Sequence, residues 1–230
     1  PAVAMAALAA KPEEILLIVP SDHLIEDQKA YEASVEKAIS LAEAGKLVTF
    51  GIKPQYPETG FGYIEASGAE VKSFKEKPDL ETAKGYLKAG NYFWNSGMFC
   101  FKAKTFLQEL ERFAPDIYEH SRATFEKAQG DSVLRLGMEE MKAIRSESID
   151  YAVMEKAEKI VMVQAGFGWS DVGSWDAVAA AHDVDAEGPG HPARLDRPAE
   201  FDAAHLALHQ PAFRLPFGTK RFQCLEIGTI

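Results

Sequence analysis

The stretch ILLIVPSDH, residues 15–23, decides the fold class of this chain. Its first six residues form a continuous apolar run, which is typical of a strand buried on both faces of a parallel sheet. The segment YEASVEKAISLAEAG, residues 31–45, follows with apolar residues at helical spacing and ends on Gly45, a residue that suits a helix C-cap. LVTFGI, residues 47–52, is a second buried run. Strand, helix and strand in this order predict a βαβ unit in an α/β sheet.

Further helices and strands are predicted on both sides of this unit. The apolar segment PAVAMAALAA (residues 1–10) indicates a buried helix, and Pro115 interrupts a long helical pattern. Alternating apolar residues and Pro/Gly-rich turns predict shorter strands in the middle of the chain. Strands are predicted over residues 63–66, 71–78, 92–101 and 160–165, and helices over residues 79–90, 104–128 and 148–157.

The composition excludes several classes of protein. The 230 residues suffice for one large domain, and 47% of them are hydrophobic, as is ordinary for a globular protein. The formal charge of −10 argues against nucleic-acid binding, although a local lysine and a divalent cation still allow a phosphate ligand. Only Cys100 and Cys224 are present, and no apolar run is long enough to span a bilayer. We therefore expect a cytoplasmic protein with neither a membrane nor a nucleic-acid partner.

Two aspartates follow predicted strands and form the first candidate site. Asp22 comes after the strand at residues 15–20, and Asp171 comes after the strand at residues 160–165. Ligands of open α/β sheets bind outside the carboxyl ends of the strands, and two converging carboxylates suit Mg²⁺. The alternative is that each aspartate caps a turn or helix, with Asp171 or Ser174 capping a helix that begins at WDAVAAA.

Five further residues are candidates for binding a small ligand. Gly60 and Gly62 allow a ligand to approach the backbone closely, although a hairpin or bulge also explains them. Lys77 offers a point charge for a phosphate and Glu76 an acceptor for sugar hydroxyls; both also fit a solvated strand end. The amide of Asn95 has a donor and an acceptor that can hydrogen-bond to hydroxyl groups of a ligand. The alternative is that it hydrogen-bonds to the backbone of a turn.

The histidines suggest less. His23 adjoins Asp22, and we expect it to shape the loop and assign it no proton-transfer role. His205 and His209 are four residues apart and could bind zinc on a helix, but no third ligand is evident and a solvated tail is the alternative.

Taken together and in order, six stretches resemble mannose-1-phosphate guanylyltransferase, the bacterial type that is often fused to phosphomannose isomerase. The resemblance extends from about Pro1 to about Asp185 and includes WNSGMF and SIDYAVME, which favour mannose. A chance match of six ordered motifs is improbable, whereas any one of them is weak. The six stretches are VPSDHLI, TFGIKPQYPETGFGYIEA, VKSFKEKP, YFWNSGMFCF, SIDYAVME and FGWSDVGSW.

The resemblance implies a Rossmann-like fold of the glycosyltransferase-A type, a mixed sheet with flanking helices. The implied reaction joins mannose 1-phosphate and GTP to give GDP-mannose and pyrophosphate. This reaction needs no covalent enzyme intermediate. Catalysis would therefore come mainly from positioning the substrates and neutralising the charge that develops on the phosphates. Asp22 and Asp171 would hold Mg²⁺, and Lys77 would neutralise charge with it.

The resemblance also implies the sugar-binding residues. Gly62 would meet the sugar through its backbone, and Asn95 would bind the mannose. Glu76 and Lys77 would hold the sugar hydroxyls and the sugar phosphate. The substrates would thus be the small molecules mannose 1-phosphate and GTP, and a homo-oligomer remains open.

Two parts of the sequence depart from the family pattern. The family's glycine-rich loop GGxGxRLWPLSR and the following PKQF, which grip the nucleotide triphosphate, match nothing here. We therefore expect residues 1–185 to be a partial, N-terminally truncated nucleotidyltransferase domain that lacks the first strand and has an exposed sheet edge. Residues 186–230 resemble no part of the family, and we expect an atypical and poorly ordered tail. On this interpretation the chain alone has little activity.

Two other functions remain open on the residues alone. One is a nucleotidyltransferase for another sugar 1-phosphate, such as glucose 1-phosphate with UTP or dTTP. The other is a non-catalytic module that binds sugar phosphates and partners a full-length enzyme.

Overall fold

Nine strands and six α-helices make up the part of the chain that this computed structural model describes, residues 1–128, 130 and 135–172 with the backbone of 222–227. The strands are β1 Ile15–Pro20, β2 Leu24–Ile25, β3 Leu47–Ile52, β4 Tyr63–Ser67, β5 Glu70–Lys75, β6 Tyr92–Lys102, β7 Ile160–Ala165, β8 Trp169–Ser170 and β9 Phe222–Ile227. The helices are α1 Ala2–Ala9, α2 Gln28–Glu43, α3 Leu80–Ala89, α4 Ala103–Phe113, α5 Pro115–Glu126 and α6 Met138–Ala143, and Asp150–Met154 form a π-helical turn. Among these described helices none is long and apolar enough to cross a membrane.

Seven of these strands form one mixed sheet in the order β3-β7-β5-β4-β6-β1-β9, in which β3 also pairs with β6. The strands β1 and β3 each run antiparallel to β6, so they are parallel to each other. Helix α2 connects them, which confirms the predicted strand, helix and strand unit. The remaining parallel pairs are β3 with β7 and β1 with β9. The predicted mixed sheet with flanking helices is therefore confirmed.

The apolar run of β1 is buried on both faces, as predicted. Leu16 and Ile18 pack in a cluster that includes helices α1, α4 and α5 on one face of the sheet. Leu17 packs in a second cluster with the apolar stripe of α2 on the other face. Burying a leucine or isoleucine side chain fully contributes roughly 1.5–3 kcal/mol. The α2 residues of the second cluster are Tyr31, Val35, Ala38 and Ala42.

The helix ends follow the sequence signals. Asp79 is the N-cap of α3, and its side chain accepts a hydrogen bond from the backbone nitrogen of Thr82 at 2.8 Å. Helix α2 is capped by Asp27 rather than by Asp22, so helix capping does not explain Asp22. Gly45, beyond the last turn of α2, has a φ of 80°, a conformation that favours glycine.

Two elements differ from the prediction. Residues 148–157 were predicted to form a helix, but only the π-helical turn is present, and its Ala152, Val153 and Met154 are buried. The chain then enters β7 at Ile160. The described strand β9 lies within the predicted tail and pairs in parallel with β1 over its whole length, from Ile15 with Phe222. Strand β9 therefore covers the outer edge of β1 and offers partners for its backbone groups.

Candidate functional site

A small two-stranded ribbon brings the two candidate aspartates to one place. Strand β2 follows β1 and strand β8 follows β7, and they pair antiparallel with Ile25 opposite Trp169. The backbone nitrogen of Asp27 extends this pairing by donating to the carbonyl oxygen of Phe167 at 2.8 Å. The parallel strands β1 and β7 end at the same edge of the sheet. Asp22, just before β2, and Asp171, just after β8, therefore belong to one end of the ribbon.

His23 directly follows Asp22 in the chain and is held by a tryptophan. The indole nitrogen of Trp169 donates a hydrogen bond to Nδ1 of His23 at 3.1 Å, and the two rings meet edge to face. Burial lowers the pKa of His23, whereas the charges of Asp22 and Asp171 oppose that shift. An imidazole that accepts at Nδ1 is neutral and carries its proton on Nε2. His23 thus shapes the loop, as the sequence predicted.

A cleft of about 220 Å³ opens beside this ribbon. It brings together Gly62, Glu76, Lys77, Asn95 and Asp171, five of the six residues that the resemblance placed in the site. Asp22 does not line the cleft itself but adjoins His23, which does. The other lining residues are Pro20, Gly60, Phe61, Ser96, Gly97, Asp150 and Trp169.

Gly62 packs directly against the acidic side of the cleft. A Cβ atom at this position would lie 2.4 Å from Oε2 of Glu76 and 3.4 Å from Cβ of Asn95. The carbonyl oxygen of Gly62 also accepts a hydrogen bond from the backbone nitrogen of Asn95 at 2.8 Å. The preceding turn is held by Glu58, whose Oε1 accepts from the backbone nitrogen of Gly60 at 2.7 Å. Glycine at 62 therefore lets the Glu76 carboxylate lie against the backbone.

Asn95 is held from both ends of its amide. Its Oδ1 accepts from the hydroxyl of Thr49 at 3.0 Å and from the backbone nitrogen of Gly97 at 3.3 Å. Its Nδ2 donates to Oδ1 of Asp150 at 3.0 Å. An irregularity in β6 gives it this place, because Asn95 and Phe99 pair with β3 residues only two positions apart. The contact to Gly97 agrees with the alternative that Asn95 satisfies a turn. Asn95 also joins its own strand β6 to β3 and to the π-helical turn at the cleft.

Glu76 and Lys77 leave the end of β5 in different environments. The Glu76 side chain is only 12% exposed, and burial raises its pKa, partly offset by Lys77 and reinforced by Glu155. Lys77 is 62% exposed, with its Nζ 3.9 Å from Oε1 of Glu76. The backbone of Lys77 has a φ of 44°, which is unusual for a residue with a side chain. An exposed cation thus stands next to a largely buried acceptor.

Asp150 lines the same cleft and is not among the residues predicted from the sequence. It begins the π-helical turn, a feature that often occurs at functional sites. Burial, and then the charge of Glu76, raise the pKa of Asp150 to about 7. The available signal was a carboxylate directly before the apolar residues of SIDYAVME, which was interpreted as part of a helix.

Aromatic rings form the wall between the cleft and the ribbon. Phe61 meets Trp94 and Trp169 edge to face, with ring centroids 5.3 Å and 5.4 Å apart. Tyr56 meets Trp94 in the same way at 4.9 Å. This cluster fixes the TGFGY loop against the ribbon, so the two sides of the cleft are joined.

The donor set near His23 fits a hard divalent cation. Among the residues that the structure describes, no group of three or more histidine, cysteine, aspartate and glutamate side chains is arranged to hold a metal ion. Two carboxylates are nevertheless what Mg²⁺ commonly takes from a protein when water and phosphate oxygens complete its octahedron. The candidate cap Ser174 and the candidate zinc pair His205 and His209 lie outside the described residues.

Comparison with known proteins gives consistent matches. The family model described as Nucleotidyl transferase matches residues 1–188. The xanthan biosynthesis protein XanB of Xanthomonas campestris pv. campestris (strain B100) is 48% identical over 83% of this chain and 43% of its own length. The mannose-1-phosphate guanylyltransferase of Escherichia coli (strain K12) is 46% identical over 82% of this chain and 43% of its own length.

A solved structure shares the fold. The crystal structure of mannose-6-phosphate isomerase from Helicobacter pylori superposes with a TM-score of 0.72 and 43% identity, covering 74% of this chain and 69% of that chain. The chain described here spans less than half the length of the two curated relatives.

Proposed function

The chain belongs to the nucleotidyl transferase family, and on that premise we propose that it carries the sugar-phosphate and metal side of a mannose-1-phosphate guanylyltransferase site. The observation that carries this proposal is the single cleft in which Lys77, Glu76 and Asn95 lie together with Asp171. A cation for a phosphate, acceptors for hydroxyls and a carboxylate for a metal are the parts that a sugar 1-phosphate and a nucleoside triphosphate require.

The sugar phosphate would lie along the cleft between its acidic and cationic groups. The buried Glu76 would accept hydrogen bonds from sugar hydroxyls, and the amide of Asn95 would contact a neighbouring one. Lys77 has a long exposed side chain that can follow the phosphate. The backbone at Gly62 would touch the sugar face, because no side chain intervenes there.

Asp22 and Asp171 would hold Mg²⁺, which supplies neutralisation of the charge on the phosphates when bound. The hydrogen bond between His23 and Trp169 would keep these carboxylates close, because it joins the neighbour of Asp22 to the strand that precedes Asp171. Because His23 accepts a hydrogen bond at Nδ1, its imidazole is neutral and adds no positive charge beside the two carboxylates.

The proposed reaction is a phosphoryl-group displacement without a covalent enzyme intermediate. An oxygen of the mannose 1-phosphate forms a bond to the α-phosphorus of GTP while the bond from that phosphorus to the bridging oxygen breaks. Pyrophosphate leaves with the bonding pair, and GDP-mannose remains. The residues of this chain orient the attacking phosphate and offset its charge through Lys77.

The setting of this activity is part of the proposal. We propose that the chain binds sugar phosphate, that it acts in the cytoplasm in polysaccharide biosynthesis, and that it can form a homo-oligomer. Its relatives are named for xanthan biosynthesis and for guanylyltransferase activity.

Calorimetric titration with mannose 1-phosphate in the presence of Mg²⁺ tests the proposal. We expect saturable binding, weaker binding of glucose 1-phosphate, and a loss of about tenfold or more in Lys77→Ala, because one charge-assisted contact disappears. Lys72→Ala is the matched control, since Lys72 is an exposed lysine on β5, the strand that precedes Lys77, and lies outside the cleft. Tighter binding of glucose 1-phosphate would favour another sugar nucleotidyltransferase, and no binding of either would refute the proposal.

A further inference from the structure

Asp150 stands at a point of the cleft where no role follows from the chemistry above. It lies at the start of the π-helical turn, and its Oδ1 accepts the hydrogen bond from Nδ2 of Asn95 at 3.0 Å. A carboxylate offers about four acceptor positions, and Asn95 together with the backbone N–H of Asp150 itself uses only part of them. The remaining acceptor capacity belongs to a side chain that lines the cleft.

The fold does not need a charge at this position. An asparagine would accept the same hydrogen bond from Asn95 without placing a second carboxylate beside Glu76. The unfavourable surroundings are evident from the pKa of Asp150, which burial and Glu76 raise to about 7. A carboxyl group held in such surroundings, in a cleft, is characteristic of a ligand-binding group.

The contact with Asn95 creates a paired donor and acceptor. Thr49 and Gly97 occupy the oxygen of the Asn95 amide, so its nitrogen must point toward Asp150. One hydrogen of that nitrogen serves Asp150, and the second remains beside the cleft. A free donor on Asn95 and a free acceptor on Asp150 thus lie side by side, about one hydrogen bond apart. This spacing matches two neighbouring hydroxyl groups of a sugar ring.

We infer that Asp150 binds the sugar directly, accepting a hydrogen bond from one of two neighbouring ring hydroxyls while Asn95 donates to the other. The inference rests on the proposed sugar 1-phosphate function and adds a specificity-determining residue to it. On this inference Glu76, Asn95 and Asp150 bind the sugar hydroxyls, whereas Lys77 binds the phosphate.

Titration with mannose 1-phosphate and its 2-, 3-, 4- and 6-deoxy analogues tests this inference. In Asp150→Asn, which keeps the shape and the acceptor for Asn95, we expect about tenfold weaker binding of mannose 1-phosphate. One deoxy analogue lacks the hydroxyl that binds to Asp150. Wild type and variant should bind that analogue with equal affinity. The other analogues should retain the tenfold difference, and Asp150→Ala should show the same pattern.

A merely structural role would give another result. Equal losses for all four analogues, or no loss at all, would overturn the inference while leaving the proposed function intact, because wild type would still bind. If wild type binds no sugar phosphate, both proposals fall. Glu155→Gln is the matched control: it removes a nearby charge but keeps the acceptor for the backbone nitrogen of Glu76, and it should bind like wild type.

Discussion

The indole nitrogen of Trp169 donates a hydrogen bond to Nδ1 of His23 at 3.1 Å, although the two residues are 146 positions apart in the chain. This contact joins the loop between β1 and β2 to strand β8. Asp22 lies in that loop and Asp171 directly follows β8, and the charges of both act on His23. The geometry of the proposed metal site therefore depends on an aromatic side chain that need not touch the metal.

Removing this hydrogen bond should loosen the metal site. In Trp169→Phe we expect a stability loss of about 1 kcal/mol and weaker Mg²⁺ dependence of mannose 1-phosphate binding, because Nδ1 of His23 loses its donor. Thermal unfolding and calorimetric titration across Mg²⁺ concentrations measure the two effects. Trp94→Phe makes the same change elsewhere in the aromatic cluster and should leave the Mg²⁺ dependence unaltered. Equal Mg²⁺ dependence in both variants would contradict the role given to Trp169.

Neutralising either aspartate of the proposed metal pair should abolish Mg²⁺ binding. Asp22→Asn and Asp171→Asn each remove one hard anionic ligand, and the remaining carboxylate alone holds the ion weakly. We expect the Mg²⁺-induced rise in unfolding temperature to vanish in both, as it should in wild type treated with a chelator. Asp27→Asn is the control, because asparagine still caps α2. A persistent Mg²⁺ effect in both variants would show that the ion binds elsewhere.

A methyl group at position 62 should displace Glu76. The added Cβ of Gly62→Ala would lie 2.4 Å from Oε2 of Glu76, and this flexible side chain would swing away from the backbone. We expect about tenfold weaker binding of mannose 1-phosphate, because the acceptor for the sugar hydroxyl is lost. The unfolding temperature should change little, because the core is untouched.

Gly85→Ala provides the comparison for that experiment. A Cβ at residue 85, within α3, would meet nothing within 4 Å, so this variant should gain about 0.5–1 kcal/mol of stability and bind normally. Undiminished binding by Gly62→Ala would show that Glu76 does not contact the sugar.

The stability of the chain should depend on pH through Asp150. Its pKa is raised from 3.8 to about 7 by burial and then by Glu76, so between these two values the folded chain holds a proton that the unfolded chain lacks. Raising the pH through this window removes that proton and lowers the free energy of unfolding, by about 4 kcal/mol at most and less for a partly exposed group. The effect is fully developed above pH 7.

Asp150→Asn removes this titration. The unfolding temperature of the variant minus that of wild type should therefore rise from pH 4 to pH 8. Other titrating groups, including Glu76, remain in both proteins and largely cancel in the difference. A difference that stays constant over this range would mean that the carboxyl of Asp150 titrates normally.

Removing the last strand should expose the sheet. A chain that stops at residue 221 lacks β9, which leaves the outer edge of β1 without its parallel partner. We expect lower stability and concentration-dependent aggregation, because an open strand edge pairs with other chains. Light scattering during thermal unfolding measures this. A matched shortening by three residues, which ends after β9 at Ile227, should behave like the full chain.

Much of the fold was predictable because it depends on local patterns. The runs at residues 15–20 and 47–52 are apolar except for Thr49, and strands buried on both faces have such a composition in any context. The apolar spacing of α2 and the N-cap at Asp79 also act within a few residues. The residues Gly62, Glu76 and Asn95 were candidates by residue type and by resemblance, and all three line one cleft.

Only the tertiary structure decided the contacts between distant segments. The β2–β8 ribbon, the hydrogen bond between Asn95 and Asp150, and the pairing of β9 with β1 all join residues far apart in the chain. Such pairings depend on how the whole sheet is ordered, and no spacing within one segment encodes them. Asp150 looked like an ordinary helix residue for this reason. Its role follows from the neighbours that folding gave it, since burial and the charge of Glu76 come from other parts of the chain.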